Sequence, residues 1–387
     1  MGKTIIGFIL GIITLIGGYG LVFGSNLVFG SDTKFVATLS DSVYPNSDEL
    51  SKTIAIYQSQ NDISSFKVRS LCNISSSFLT QEQGLYFFEI DYKNAPDCKN
   101  GNIYLESLGQ KYVGTMHDIS IVRSADLVLQ YVDYSDSDLK GLAEKLTPVI
   151  KKNAIFKNYN GAEITKNYSF LKGQRLYNEA ILAQEVIQTI LKARLQKYIS
   201  PVPGGNISEN PNKIPNAGRP YRSAYTDGIH HGWDIDAALN SDVVALDDGV
   251  IVRIVDDFMD SDFSRVVYGA GMSDNQKLKN LDILRGNQVW LKTMKGEVIF
   301  YSHLSSVVDS LQEGQLVQSG TKLGKIGVSG VPESGYDDYH LHFPIMKNPY
   351  NASRAGSYDF GDYMSWDWQT KGLNTAQTIA AQKNIFK

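Results

Sequence analysis

Between Thr33 and about residue 134 the chain alternates short apolar runs with polar turns: KFVATL, TIAIYQ, FKVRSLCNIS, GLYFFEIDY, NIYLESL, DISIVRS and DLVLQYV. Aromatic and β-branched residues dominate these runs, as half-buried strands require. The period then changes. Leu139, Leu142, Ala143, Leu146, Val149 and Ile150 recur at helical spacing behind the polar SDSD, which predicts an N-capped helix. A second helical stripe runs from about 174 to 198 through Leu176, Ala180, Ala183, Ile187, Leu191 and Leu195, too short and irregular for a coiled coil. PVPGG and the Asn- and Pro-rich ENPNKIPNAGRP follow as linker. Beyond them VVALDDGVIVRI, NQVWLKT and EVIFYSHL alternate like sheet strands, with glycine turns in EGQLV and SGTKLGKIG.

These patterns predict a multidomain protein, as 387 residues require. An α+β accessory domain spans 32–155, a helical linker 156–202, and an antiparallel all-β domain, a β-sandwich-like open sheet, 203–350. The tail 351–387 has no assignment. Ahead of them, residues 1–31 form a membrane anchor or signal segment: no charge interrupts Thr4 to Phe23, 20 residues, and about 20 suffice to cross a hydrocarbon core of about 30 Å. The run is longer than a typical signal core, so an uncleaved anchor is the expectation; Gly18-Tyr19-Gly20 is the alternative cleavage site. With Lys3 on the short side, residues 32–387 lie outside the cytoplasmic membrane. The linker helix would then act as a stalk.

Composition narrows the partners. Thirty-seven basic against 41 acidic residues give a net charge of −4 and no basic stripe, which argues against nucleic acid. Cys72 and Cys98 are the only cysteines, and in an exported domain they can close a disulfide contributing roughly 3 kcal/mol on the chain-entropy model; two separate thiols are the alternative.

The chemistry lies in the histidines. In IHHGWDID an extended backbone sends His230 and Asp234 to one face, and in YHLHF the same rule pairs His340 with His342 while Leu341 points into a core. A catalytic zinc takes three protein ligands and a water. His230, Asp234 and one of the His340/His342 pair would supply them. His303 and the remaining histidine would then move protons near the bound water. The chain has no H-E-x-x-H, so a histidine must replace the usual glutamate base. His117 and His231 read as structural.

HHGWDIDAALNSDVVALDDGVIVRI, FYSHLSSV, EGQLVQSGTKLGKIGVSG and HLHF, in that order, resemble the zinc domain of lysostaphin-type (LytM-type) peptidoglycan endopeptidases. The resemblance covers roughly 220–350, somewhat over a third of the chain. It implies zinc on His230, Asp234 and His342, catalysis by His303 and His340, peptidoglycan as substrate, and Tyr225 as a helper for the oxyanion. It also admits an alternative, a non-catalytic LytM-type module that binds the cell wall or activates amidases; any regulatory protein is unknown. Two features depart from the family pattern: an insertion between Asp256 and Asn287, expected to reshape a wall of the cleft, and Pro344 after HLHF in place of an acidic residue.

Overall fold

The computed structural model describes residues 33–38, 42–44, 50–95, 98, 101–107, 110–111, 119–121, 124–154, 168–333, 335, 337–347 and 367–387. Residues 1–31, expected as a membrane anchor or signal segment, and His117 lie outside the described residues. No helix among those described is long and apolar enough to cross a membrane. The chain divides into two compact units, 1–121 and 122–387.

The first unit is built on a four-stranded antiparallel sheet in the order Thr33–Thr38, Lys52–Ser59, Leu85–Asp91, Ser75–Glu82. In Leu85–Asp91 the alternation is visible directly: Tyr86, Phe88 and Ile90 are buried while their neighbours are only partly so. Cys72 and Cys98 are bonded, with Cα atoms 5.6 Å apart, and pack against this core. Ser75–Glu82, an almost wholly polar strand, was not among the expected runs.

The second unit begins with a correction. DLVLQYV, expected as a strand, lies in the helix Ser124–Tyr131 and the turn after it. Its buried residues, Ala125, Val128 and Val132 with Leu127 and Tyr131, follow a three-to-four spacing that a short apolar run does not distinguish from a strand. The next helix, Asp136–Asn153, forms as expected: the Ser135 hydroxyl accepts the Asp138 N–H at 3.2 Å, and Leu139, Ala143 and Leu146 are buried. It packs against the helix Tyr168–Arg194. That helix stops short of the expected stripe, so Leu195 is 87% exposed while Tyr198, outside the helix, is 1% exposed in the β core.

These helices belong to the compact unit rather than to a free stalk. Arg194 bonds Asp136 at 2.5 Å and the Val132 carbonyl at 2.7 Å. The buried Lys292 ammonium, on a sheet strand, reaches Asp133 at 2.6 Å. PVPGG is likewise no loose linker, because Val202 is buried in the core and Val244 N–H donates to the Pro201 carbonyl at 2.8 Å.

The antiparallel β architecture expected for 203–350 is present. Six strands lie in the order Leu316–Val317, Gly249–Val255, Gln288–Thr293, Glu297–Tyr301, Ile345–Lys347, Asp367–Trp368. A three-stranded sheet joins Asp242–Val244, Lys322–Ile326 and Leu304–Val307, and Trp233–Asp236 pairs with His340–Phe343. Pro344 marks the point where the chain passes from that pair to the six-stranded sheet. A residue without an N–H fits there, between two ladders.

The described part of the tail is structural. The helix Thr375–Ile385 is capped by Asn374, and Ile385 and Phe386 enter the core around Trp233. Gln382 Oε1 accepts the Trp233 indole N–H at 2.9 Å, and Tyr198 exchanges backbone hydrogen bonds with Ile385 and Lys387.

Candidate metal centre

The register of one short strand pair sets the site. Trp233–Asp236 runs antiparallel to His340–Phe343 with Asp234 opposite His342 and Asp236 opposite His340. Residues directly opposite project to the same side. His340, two residues before His342, shares that face, and its Nε2 lies 3.8 Å from Asp234 Oδ1. Trp233, Leu341 and Phe343 take the other face and are buried in the core, which fixes the polar face toward the cleft.

His230 stands before this strand, not within it. The segment 213–217, read from sequence as linker, clasps it. His230 N–H donates to the Ala217 carbonyl at 2.8 Å, its own carbonyl accepts from Asn216 at 2.7 Å, and Lys213 accepts the Asp234 N–H at 2.9 Å. Gly232 allows the bend. A Cβ there would stand 2.7 Å from the backbone of Phe343 and Pro344.

His230 Nε2, Asp234 Oδ1 and His342 Nδ1 converge, at 3.0, 2.9 and 2.9 Å from one another. His230 Nδ1 lies 3.0 Å from the Ile214 carbonyl, which can only accept, so the proton is on Nδ1 and Nε2 presents a lone pair. A carboxylate oxygen is also an acceptor. Electron-rich atoms thus meet at one buried point, and two imidazoles with one carboxylate are a donor set suited to zinc. The backbone bond to the far nitrogen of His230 is the usual way such a ligand is oriented.

The charges favour the ligating forms. Burial acts to raise the Asp234 carboxyl, but His230, His342 and His340 together outweigh it and hold the group well below the usual range. Burial pushes His342 down to about 3, with His230 and Arg285 adding to the effect against Asp234. His303 is lowered well below its ordinary value, chiefly by burial and then by His340 and His342.

His303 and His340 sit beside this cluster, their rings edge to face at 5.2 Å. Each has its Nδ1 next to a backbone carbonyl, Ser329 at 2.8 Å and Asp338 at 2.7 Å, so each carries its proton there and its basic nitrogen is Nε2. His303 adopts φ 61°, a conformation uncommon for a non-glycine residue and often found at functional sites. Its N–H donates to the Arg285 carbonyl at 2.8 Å, and the preceding Ser302 N–H to the His342 carbonyl at 3.0 Å.

The insertion forms part of the cleft wall. It folds as a 3-10 turn, Asp260–Arg265, and a helix, Asp274–Leu284, from which Leu281, Leu284 and the following Arg285 line the cleft. Buried Asn280 ties it down, donating to the Tyr225 and Val267 carbonyls at 2.8 and 2.7 Å. Tyr225 packs edge-on against Tyr268 at 5.1 Å and is not among the residues lining the cleft. His231 is structural in its contacts, bonding Asp227 at 2.5 Å and stacking on Trp368 at 4.6 Å.

Sequence reasoning missed Ile214, Ser329 and Asp338, which act through main-chain carbonyls, and Arg285, which lies in the insertion. No residue type marks a carbonyl for such a role.

The fold and donor set define a candidate metal centre in an antiparallel β domain. Residues 228–353 match the model of peptidase family M23. No curated protein matches the chain. Among solved structures, the catalytic domain of the antimicrobial peptidase lysostaphin from Staphylococcus simulans is 25% identical, covering 39% of this chain and 95% of that one, with TM-score 0.25. A longer structure of lysostaphin from the same organism is 24% identical over 38% of this chain and 48% of that one, TM-score 0.22. The catalytic domain of the prophage-encoded M23 protein EnpA from Enterococcus faecalis, solved as a point mutant, is 17% identical over 38% and 92%, TM-score 0.24.

Proposed function

We propose that the protein is a zinc-dependent endopeptidase hydrolysing peptide cross-links or stem peptides of bacterial peptidoglycan. The observation that carries this reading is the convergence of His230, Asp234 and His342 on one point, with His303 and His340 beside it. Zinc held there would polarise the scissile carbonyl and acidify a water molecule. His340 and His303 present Nε2 to the same region. One accepts the water proton, the pair stabilises the developing oxyanion, and the proton passes to the leaving amine.

The protein acts outside the cytoplasmic membrane, held by residues 1–31, a placement that rests on the apolar run Thr4–Phe23 and on Lys3. Digestion of purified sacculi by the region after Ser31, with and without chelator, followed by fragment mass analysis, tests the activity. New amino termini that disappear with chelator are the expected result. Binding to sacculi without cleavage would point to a non-catalytic module.

A further inference from the structure

The metal cleft is lined by four cationic side chains, Lys213, Arg219, Arg222 and Arg285. Their partners differ. Lys213 is held by Asp236 at 2.5 Å and Asp338 at 3.5 Å. Arg219 donates to the Asn212 carbonyl and lies 3.7 Å from Asp234, so it belongs to the ligand cluster. Arg285 is 4% exposed and sits over the Phe300 ring at 4.7 Å.

Arg222 is different. Its closest carboxylate is Glu333 at 3.8 Å, beyond hydrogen-bond reach, on a side chain 46% exposed and screened by water. Its Nε is buried and finds no acceptor among the described residues. Arg219, which precedes the 3-10 turn Pro220–Arg222, and Arg222 at its end both line the cleft. With Nε sealed from solvent, the donors left for the cleft are on the terminal nitrogens, whose nearest carboxylate is the distant Glu333, and such a guanidinium end is able to take a carboxylate through two N–H bonds. The facing helix contributes Leu281 and Leu284, which accept an aliphatic chain but no charge.

From this arrangement we infer that Arg222 forms a carboxylate subsite, and that the protein selects peptides bearing a free carboxylate near the scissile bond over otherwise identical neutral peptides. The inference deepens the endopeptidase reading and rests on it for the meaning of the cleft. Glu333 is then a weak internal competitor that a substrate carboxylate replaces.

The test uses the full chain and a matched pair of probes, L-alanyl-γ-D-glutamyl-L-lysyl-D-alaninamide and the same peptide with its glutamyl α-carboxylate converted to carboxamide. Calorimetric affinities for both are measured on wild type, Arg222→Gln and Glu333→Gln, with zinc content checked in each. Wild type should bind the carboxylate form about tenfold more tightly or better, the scale of one charge-assisted pair. Arg222→Gln should bring the two peptides within about twofold of each other, and Glu333→Gln should widen the preference. Equal binding by wild type, no binding of either peptide, or a preference that survives Arg222→Gln overturns the subsite. Sacculus digestion is read in parallel: a carboxylate preference without digestion sinks the endopeptidase reading and leaves the subsite, whereas digestion with equal binding does the reverse.

Discussion

The backbone N–H of His303 donates to the carbonyl of Arg285 at 2.8 Å, joining a histidine with positive φ to the last turn of the insertion. The insertion thus does more than line the cleft. It holds the His303 backbone in place, while the Ser329 carbonyl holds the ring. Gly286 and Gly330 make this possible by touching back to back: a Cβ on Gly286 would stand 2.3 Å from the Ser329 carbonyl carbon, and one on Gly330 would stand 2.3 Å from the Gly286 nitrogen.

Gly330→Ala should therefore displace Ser329 and turn the His303 ring. Zinc content is expected to stay near wild type while hydrolysis falls about 10²-fold, the cost of an ångström-scale misplacement. Parallel loss of zinc would show that the contact supports the whole site instead.

Asp234→Ala should lose most of the zinc that wild type binds at close to one per chain, because it removes the only anionic member of the converging trio. Metal analysis after dialysis reads this directly. Full zinc retention by the variant would mean that the ligands lie elsewhere.

His303→Ala and His340→Ala should keep zinc and lose hydrolysis, each by about 10²-fold or more if it takes part in proton transfer. Near-normal cleavage of sacculi by either would move the acid–base chemistry to another group.

Phe386→Ala should destabilise the second unit by about 3–5 kcal/mol, the range for removing a buried aromatic. Phe386 is 5% exposed and meets the Trp233 ring edge-on at 5.2 Å. Urea unfolding followed by tryptophan fluorescence measures it, and a loss under about 1 kcal/mol would put the tail outside the core.

Alkaline pH should unfold this unit early. Burial raises the Tyr301 hydroxyl above its ordinary value, and burial with Glu297 beside it does the same to Tyr198. A raised folded pKa means that the stability is fully present below the unfolded value of about 10 and is lost as pH rises beyond it. Tyr301→Phe should flatten that decline. An unchanged slope would assign the alkaline limit to other groups.

Much of the site could be read in advance because it depends on local periodicity. His340, Leu341 and His342 alternate in and out of the core as a strand must, and the Ser135 cap and the Leu139, Ala143, Leu146 stripe marked a helix from short-range cues alone. The misses share a different cause. DLVLQYV is apolar over too few residues to reveal its period, and its helical face is decided by what it packs against. Ser75–Glu82 carries little hydrophobic signal and is a strand because Leu85–Asp91 offers it a ladder. The His230 clasp is made of carbonyls from 214 and 217, and the tail docks through partners such as Trp233 that lie far away in sequence.

That last contact sets an order of assembly. Trp233, next to Asp234, is bonded to Gln382 across a separation of 149 residues. Contacts so distant form late, because the intervening chain must first be closed into a loop. In a chain delivered amino end first, the strand bearing Asp234 stays uncovered until residues 382–386 have emerged. The strand that carries Asp234 would then gain this part of its core backing only as the helix Thr375–Ile385 seats against Trp233, on the face opposite the candidate ligands.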